Sequence, residues 1–218
     1  APPTGSNLTM VDNTGLAFIN GHFSNLDDGQ EIILNYGGAS YPYVVNYHGG
    51  DGNDLVLVWA HQRVYAWGYN NAGQLGLGTT TDATVPTALP ATSPLAGKTI
   101  FFLAAGYGHS LALCSDGSLF AWGLNGRGQL GDGTSANSTV PVNITGSGVL
   151  AGKRVISIAA GAVQSFALCS DGTLAAWGAN TWGLLGDGTS IDRAVPVAVV
   201  ATGFLAGKQV VSVSSGLY

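Results

Sequence analysis

Charged residues are scarce in this sequence of 218 residues. They make up 9% of the chain, against roughly 25% in ordinary soluble domains. Lysine and arginine together number only seven, and the formal net charge is −5. Binding to nucleic acid or to an anionic membrane surface requires a basic patch, which this composition does not supply. The sequence therefore predicts that neither is a partner.

Long hydrophobic runs are missing as well. No apolar stretch reaches the roughly 18 residues that a membrane-spanning helix needs, so we do not expect membrane insertion. Residues 1–6 contain neither the charged nor the apolar region of a signal peptide.

Signatures of catalysis and of metal binding are also lacking. The histidines of the first 61 residues are scattered, without the paired spacing of metal ligands. His109, Ser110 and Asp116 are residue types of a catalytic triad, but neighbouring residues of a strand point to opposite faces. No oxyanion loop accompanies them. We predict a protein that is not an enzyme and that has no cofactor.

Glycine, by contrast, is abundant, with 34 residues, which favours many short strands joined by tight turns. The stretch from Leu119 to Gly131 (LFAWGLNGRGQLG) occurs once before, at Val64 to Gly76, and once after, at 174–186. Its tryptophans are Trp67, Trp122 and Trp177, and 122 − 67 = 177 − 122 = 55. A fixed period of this size indicates a repeat architecture.

One 55-residue unit contains four runs typical of short strands. In the middle unit these are 119–122, 140–144, 154–158 and 165–168. Four antiparallel strands are the content of one β-propeller blade. Pro86, Pro141 and Pro196 predict edge strands, because proline cannot donate to an interior ladder. Leu-Ala-Gly-Lys recurs in each unit, and we expect its lysine to be a solvated turn residue.

Cys114 and Cys169 occupy equivalent positions in adjacent units. A disulfide would require Cα atoms closer than about 7 Å, which only inner strands close to a propeller axis would allow. No lysine or histidine stands beside either residue to lower its pKa. We favour two buried, unpaired thiols.

Residues 64–218 closely resemble the repeat of the regulator of chromosome condensation superfamily. The resemblance is carried by 106–113 (GYGHSLAL), 116–123 (DGSLFAWG), Asn125 and 128–131 (GQLG). It implies an all-β fold and a β-propeller, usually of seven blades. The 155 residues from 64 to 218 would then form a partial propeller, about three four-stranded blades of an expected seven. An open arc of this kind would be prone to self-association.

Residues 1–60 do not repeat the later unit, so we predict an N-terminal β segment followed by repeats over 61–218, the last of them truncated. Part of this segment, 15–58, resembles strand repeats of bacterial autotransporter-like passenger proteins. The resemblance implies a β-solenoid or β-sandwich-like cap, and a secreted or cell-surface bacterial protein. Residues 49–57 also fit a calcium-binding nonapeptide, with Asp51 and Asp54 as candidate ligands. Because such ions lie between stacked copies and only one copy is present, we favour a plain turn.

A binding surface is predicted where the three units differ inside a constant frame, since recognition positions diverge while scaffold positions repeat. There are two such sets. One follows the Trp-Gly pair of each unit, and the other lies at the start of the second strand of each blade. The candidate binding residues are Tyr69, Asn71, Tyr107, His109, Leu124, Arg127, Gln164, Thr181 and Trp182. Tyrosine, tryptophan and arginine are enriched at interface hot spots.

We therefore expect a non-enzymatic module that recognises a protein or a glycan through its propeller loops. One alternative is an exchange factor for a small GTPase, which the resemblance suggests, although all three loops have the same length and none carries an inserted wedge. The other alternative is a structural spacer in a large surface protein.

Overall fold

The computed structural model describes residues 8–11, 30–36, 38–49, 54–59, 63–202 and 205–216. These residues form β-strands and one short 3₁₀ turn, Gly148–Leu150. The strands are β1 Leu8–Val11, β2 Glu31–Tyr36, β3 Ala39–Gly49, β4 Asp54–Trp59, β5 Tyr65–Gly68, β6 Ala83–Ala88, β7 Ile100–Ala105, β8 His109–Cys114, β9 Leu119–Gly123, β10 Ser138–Asn143, β11 Val155–Ala160, β12 Gln164–Cys169, β13 Leu174–Gly178 and β14 Arg193–Ala198. In the part of the chain so described, no helix is long and apolar enough to cross a membrane.

Two complete four-stranded sheets form the centre of the molecule. Strands β7 to β10 make one antiparallel meander and β11 to β14 make the next, each with its strands side by side in chain order. Strand β11 contacts both β7 and β8 of the preceding sheet, so the first strand of each sheet is the innermost. This is the arrangement of adjacent propeller blades. The all-β prediction and the partial β-propeller are confirmed.

The three repeats do not coincide with three complete blades. Each repeat begins at the third strand of a blade and ends after the second strand of the next, so the described residues give two full blades preceded by the outer pair β5–β6. A cavity of about 390 Å³ lies beside this pair, lined in part by Val64, Leu95 and Ile100. One unit later, the residues equivalent to this lining belong to a hydrophobic core in which Leu111 and Leu113 of β8 are buried.

The outer strands carry the prolines that the sequence assigned to edges. Pro141 lies in β10 and Pro196 in β14, the last strand of each complete sheet. The cysteines end the second strands, and both are buried and free, as predicted. Burial raises the pKa of each thiol to about 11, so neither is a nucleophile at neutral pH.

Two of the three lysines in the Leu-Ala-Gly-Lys turns are not simply solvated, contrary to our expectation, whereas Lys208 is exposed. Lys98 forms an ion pair with Asp116 at 2.5 Å, and Lys153 pairs in the same way with Asp171. The carboxylates belong to the Asp-Gly hairpins that join the second and third strands, 18 residues further along the chain. Sequence inspection missed the pairs because this separation bears no relation to strand periodicity. Both are half exposed and add little stability.

Adjacent blades are joined through their tryptophans. The Trp177 Nε1 donates to the carbonyl oxygen of Gln129 in the preceding unit at 2.9 Å, and Ser165 Oγ donates to the same oxygen at 2.8 Å. Trp122 and Ser110 repeat both bonds one unit earlier, on the Gln74 carbonyl. The indole also covers a glycine, since a Cβ on Gly131 would lie 2.7 Å from Trp177 Nε1. The contacts between neighbouring blades therefore recur every 55 residues, like the sequence motif itself.

The first segment forms a sheet of its own. Its strands are antiparallel and lie in the order β1-β4-β3-β2, with Tyr43, Val45 and Leu57 in its core. Of the two caps that we expected, the antiparallel sheet formed by the described residues does not fit the β-solenoid, because solenoid coils stack parallel strands, whereas antiparallel strands are compatible with the β-sandwich-like alternative. The Thr99 hydroxyl donates to Glu31 at 3.2 Å and links the sheet to the repeats. Residues 12–29 and the candidate calcium ligand Asp51 lie outside the described residues, whereas Asp54 begins β4.

Candidate binding face

The loop that follows each Trp-Gly pair is built around a buried asparagine. In the middle unit, Asn125 Oδ1 accepts a hydrogen bond from Leu130 N at 2.9 Å, while its Nδ2 donates to the Thr134 carbonyl and to Asp132, each at 3.1 Å. The Asn125 main-chain N–H donates to Asn137 Oδ1 at 2.8 Å. Asn180 makes the corresponding bonds in its own unit, and so does Asn70, except that Leu77 holds the position of Asp132 and offers no acceptor. These anchoring asparagines hold three loops of equal length in one conformation.

The two variable sets of positions lie at the same end of the blades. Leu124 N donates to the Gly108 carbonyl at 2.7 Å, and Ala179 N donates to the Val163 carbonyl at 2.9 Å. In the two complete blades, the loop after the third strand therefore adjoins the turn between the first two strands. We call this end of the repeats the loop face; it comprises residues 69–73, 106–108, 124–128, 161–163 and 179–183.

Large aromatic side chains project from the loop face. Tyr69 is 63% exposed, Tyr107 79% and Trp182 73%. Asn71, Arg127 and Thr181 are also exposed, and Leu124 is half buried. An open cleft of about 310 Å³ adjoins Tyr107 where the inner strands end. The face thus combines rigid loops with exposed apolar area, the features of a recognition surface.

His109 and Gln164, the remaining candidate residues, lie beneath this surface. They are only 1% and 3% exposed, so they cannot reach a ligand on the face. His109 Nε2 lies 2.9 Å from Ser165 Oγ of the next blade. Gln164 Nε2 donates to Ser215 Oγ at 3.2 Å. Both side chains therefore contact residues outside their own blade. The pattern of a single strand does not indicate such contacts.

The hydrogen-bond network assigns the tautomer of His109. Ser165 Oγ gives its only proton to the Gln129 carbonyl, so it must accept from His109 Nε2, which therefore carries the hydrogen. His109 Nδ1 then has no donor among the described residues. Burial lowers the pKa of this imidazole to about 4.

This histidine makes folding sensitive to acid. Between pH 6.5 and about 4 the unfolded chain binds a proton at residue 109 and the folded chain does not, so stability falls as the pH is lowered through this window. We expect wild-type protein to lose on the order of 2–3 kcal/mol more between pH 7 and about pH 4.5 than a His109→Gln variant, which carries the residue found at position 164. Urea denaturation at both pH values measures the difference. An equal loss in the two proteins would contradict it.

The charges beside the loops are largely satisfied internally. Arg127 Nη1 lies 3.0 Å from Asp192 Oδ2, an ion pair that connects the loops of the second and third units. Burial raises the pKa of Asp187, but hydrogen bonds from Thr189, Arg193 and Asn180 outweigh it and hold the pKa below its usual range. The loop face therefore offers aromatic and amide groups rather than a field of one sign.

The geometry of the described residues provides no catalytic centre. His109 contacts Ser165 rather than Ser110, and both partners of that pair are closed to solvent. In the described ranges, no group of three or more histidine, cysteine or acidic residues could hold a metal ion. What the chain presents is a repeated scaffold with a variable outer face.

A scaffold of this kind is a propeller-type repeat protein. A family model described as the regulator of chromosome condensation (RCC1) repeat matches residues 62–113, 116–168 and 171–218. A second model with the same description matches residues 102–129. The chain therefore belongs to the RCC1 repeat family.

Relatives extend well beyond this chain. The ultraviolet-B receptor UVR8 of Arabidopsis thaliana is 39% identical over 140 residues, which are 64% of this chain and 30% of the receptor. The human E3 ubiquitin-protein ligase HERC2 is 34% identical over 143 residues, 64% of this chain and 3% of the ligase. The chain thus spans less than a third of either relative.

Solved structures share the fold. Yeast RCC1 (Prp20) in its complex with Kap60 has a TM-score of 0.58 at 26% identity, over 72% of this chain and 37% of that one. Prp20p from Saccharomyces cerevisiae, a protein described as binding Gsp1p and histones, has a TM-score of 0.60 at 21% identity, over 81% of this chain and 40% of that one.

Proposed function

We propose that this chain is a protein-binding module that recognises its partner through the loop face. The observation that carries the proposal is the meeting of both variable sets on one face, where the main-chain bonds of Leu124 and Ala179 join them. Exposed Tyr69, Tyr107 and Trp182 stand on that face. A buried, repeated frame beneath them limits the entropy lost on binding.

The similar proteins support a protein partner. Yeast RCC1 is bound to Kap60 in one similar structure, and Prp20p is described as binding Gsp1p and histones. The exposed aromatic residues would serve as anchors, and Arg127 would offer hydrogen bonds beside them while its ion pair fixes the loop. A glycan ligand, a spacer role and an exchange-factor role are the rival hypotheses. The exchange-factor hypothesis is weakened by the equal length of the three loops.

The exported bacterial setting is a separate proposal. It rests on the resemblance of the first segment to passenger repeats, and residues 1–61 lie outside the matches to the RCC1 repeat models. The relatives named above come from a plant, a mammal and yeast. Locating the protein in fractionated cells of its source would test the setting.

A library of displayed random peptides would test the loop face with defined ligands. We expect selected peptides to lose at least about tenfold in affinity on Tyr107→Ala or Trp182→Ala, because truncating a hot-spot aromatic costs more than about 1.4 kcal/mol. Tyr65→Ala is the matched control, since Tyr65 is exposed but lies at the other end of β5. Isothermal titration calorimetry measures each affinity.

The control and a glycan array decide between the hypotheses. Equal binding by wild type and by both loop-face variants would refute the proposal. Selective binding of glycans, lost in the same variants, would replace the protein partner with a carbohydrate. Failure to select any peptide or glycan would favour the spacer.

A further inference from the structure

The three anchoring asparagines differ in the residue that follows them. Asn125 precedes Gly126, whereas Asn70 precedes another asparagine and Asn180 precedes a threonine. A main-chain nitrogen can attack the carboxamide carbon of the asparagine before it and expel ammonia. A side chain on the attacking residue hinders this approach, and glycine has none. Of the three sites, the middle one therefore has the most reactive sequence.

The attacking nitrogen is not occupied in the fold. Gly126 is exposed, and a Cβ built on it would meet nothing within 4 Å. Its N–H makes no hydrogen bond to any of the described residues. The flanking main-chain N–H groups are both engaged, since Asn125 donates to Asn137 and Arg127 donates to Gln129 Oε1. The one N–H that would react is therefore the one that the loop leaves free.

The carboxamide, in contrast, is protected. Asn125 is fully buried, and its Nδ2 donates to Asp132 Oδ1 and to both oxygens of Thr134, each at 3.1 Å. Its Oδ1 accepts from Leu130 N at 2.9 Å. Attack by the Gly126 nitrogen requires the side chain to leave these partners. The reaction therefore proceeds from a locally opened loop.

We propose that Asn125 is a site of spontaneous deamidation and that its conversion holds the middle loop open irreversibly. The Gly126 nitrogen forms a bond to Asn125 Cγ, the Cγ–Nδ2 bond breaks, and Nδ2 leaves as ammonia with the proton from Gly126. Water then opens the resulting succinimide at one of its two carbonyl carbons. Breaking the new bond gives aspartate, and breaking the original peptide bond gives isoaspartate. Water is the only co-reactant, and the inference does not depend on the proposed function.

Both products lose bonds that close the loop. The atom that leaves is Nδ2, which donates three hydrogen bonds. In the aspartate product an oxygen takes its place and faces Asp132 Oδ1, and two carboxylates in contact repel each other. In the isoaspartate product the main chain is longer by one carbon. Its carboxylate is attached directly to Cα, so the bond to Leu130 N is lost.

The same loop supports the next blade and the loop face. The Gln129 carbonyl accepts the hydrogen bond from Trp177 Nε1 of the next blade. Arg127 stands on the loop face and pairs with Asp192. Conversion of Asn125 therefore loosens a contact between blades together with one part of the candidate binding surface.

Peptide mass spectrometry of the aged chain tests the site. In urea, we expect residue 125 to convert at least about tenfold faster than residues 70 and 180, which share its motif but not its glycine. Each conversion replaces NH₂ by OH and is located by fragmenting the peptide. Asn20-Gly21 is the other Asn-Gly pair in the sequence and should convert as fast as residue 125 in the unfolded chain.

Gly126→Ala is the matched variant. The added Cβ has open space around it, and Gly126 is not among the glycines with a positive φ, so the fold is retained. The methyl group crowds the attacking nitrogen, and conversion of residue 125 in urea should fall at least about tenfold. Unchanged conversion in this variant would overturn the succinimide route.

In the folded protein, the rate of conversion should follow loop opening. Asp132→Leu removes an acceptor of Asn125 Nδ2 and introduces the residue found at the equivalent position 77, where the loop keeps its anchor. We expect the folded variant to convert about tenfold faster than folded wild type, because hydrogen bonds to charged groups are among the stronger ones. Circular dichroism checks the fold. Wild type should also convert faster as urea is raised below its unfolding transition, which decides the point if the variant does not fold.

The consequence for the loop is measured on the converted protein, which ion-exchange chromatography isolates by its additional negative charge. Its Leu130 amide should exchange with solvent at least about tenfold faster than in the unconverted fraction. Equal conversion at residues 70, 125 and 180 in urea would overturn the proposal. So would equal rates in folded wild type and folded Asp132→Leu, including no conversion in either, or unchanged Leu130 exchange in the converted fraction.

Discussion

Replacing Trp177 by alanine should lower the free energy of unfolding by about 3–5 kcal/mol, while the same change at Trp67 should cost less than about 1 kcal/mol. The two residues occupy equivalent positions in the repeat. Trp177 is fully buried between blades and donates to the Gln129 carbonyl, whereas Trp67 is 59% exposed. Truncating Trp177 therefore leaves a cavity and removes a donor from a buried carbonyl, and truncating Trp67 does neither.

Urea denaturation followed by circular dichroism measures both values. A concentration of about 1 µM keeps association from adding to the apparent stability. Trp122→Ala provides an internal replicate, since Trp122 is buried and donates to the Gln74 carbonyl in the same way. Similar losses for Trp67→Ala and Trp177→Ala would show that burial between units is not the source of the stabilisation.

Replacing Asn125 by alanine should cost about 2–4 kcal/mol and release the middle loop. The substitution removes the acceptor for Leu130 N and the donors to Thr134 and Asp132. Leu130 is fully buried, so its amide cannot recover the bond from solvent. Denaturant titration gives the energy, and faster hydrogen exchange at the Leu130 amide reports the local opening.

Asn71→Ala is the control for this prediction. Asn71 belongs to the corresponding loop of the first unit but is exposed, beside the anchoring Asn70. We expect a change within about 0.5 kcal/mol. If Asn125→Ala were as mild as Asn71→Ala, the loops would be held by their glycines and main-chain turns rather than by the asparagine.

The repeat and its strands were predictable because they depend on local pattern. The runs at 119–122 and 165–168 coincide with β9 and β12 to within a residue at each end. Two apolar runs with Asp-Gly between them specify a hairpin without help from distant parts of the chain.

The contacts between distant residues were harder to predict. In the sequence, Asn125 is an asparagine that recurs in each unit. Nothing in the sequence indicates that the Asn125 side-chain amide bonds both Leu130 and Thr134. His109 was a plausible surface residue until the fold brought Ser165 of the next blade to its Nε2. Such pairs depend on how blades pack, and that information is spread over a whole unit.

By itself, the sequence determined the class of fold, the period and the positions that vary, because units with the same framework residues form the same local structure. Only the tertiary structure decided which residues at equivalent positions of the repeat are buried and which are exposed. Trp67 and Trp177 stand in the same motif, yet one is exposed and the other is buried. The reason is that a blade completes its core only against a neighbour. Exposure of a repeated residue therefore depends on what packs beside its unit.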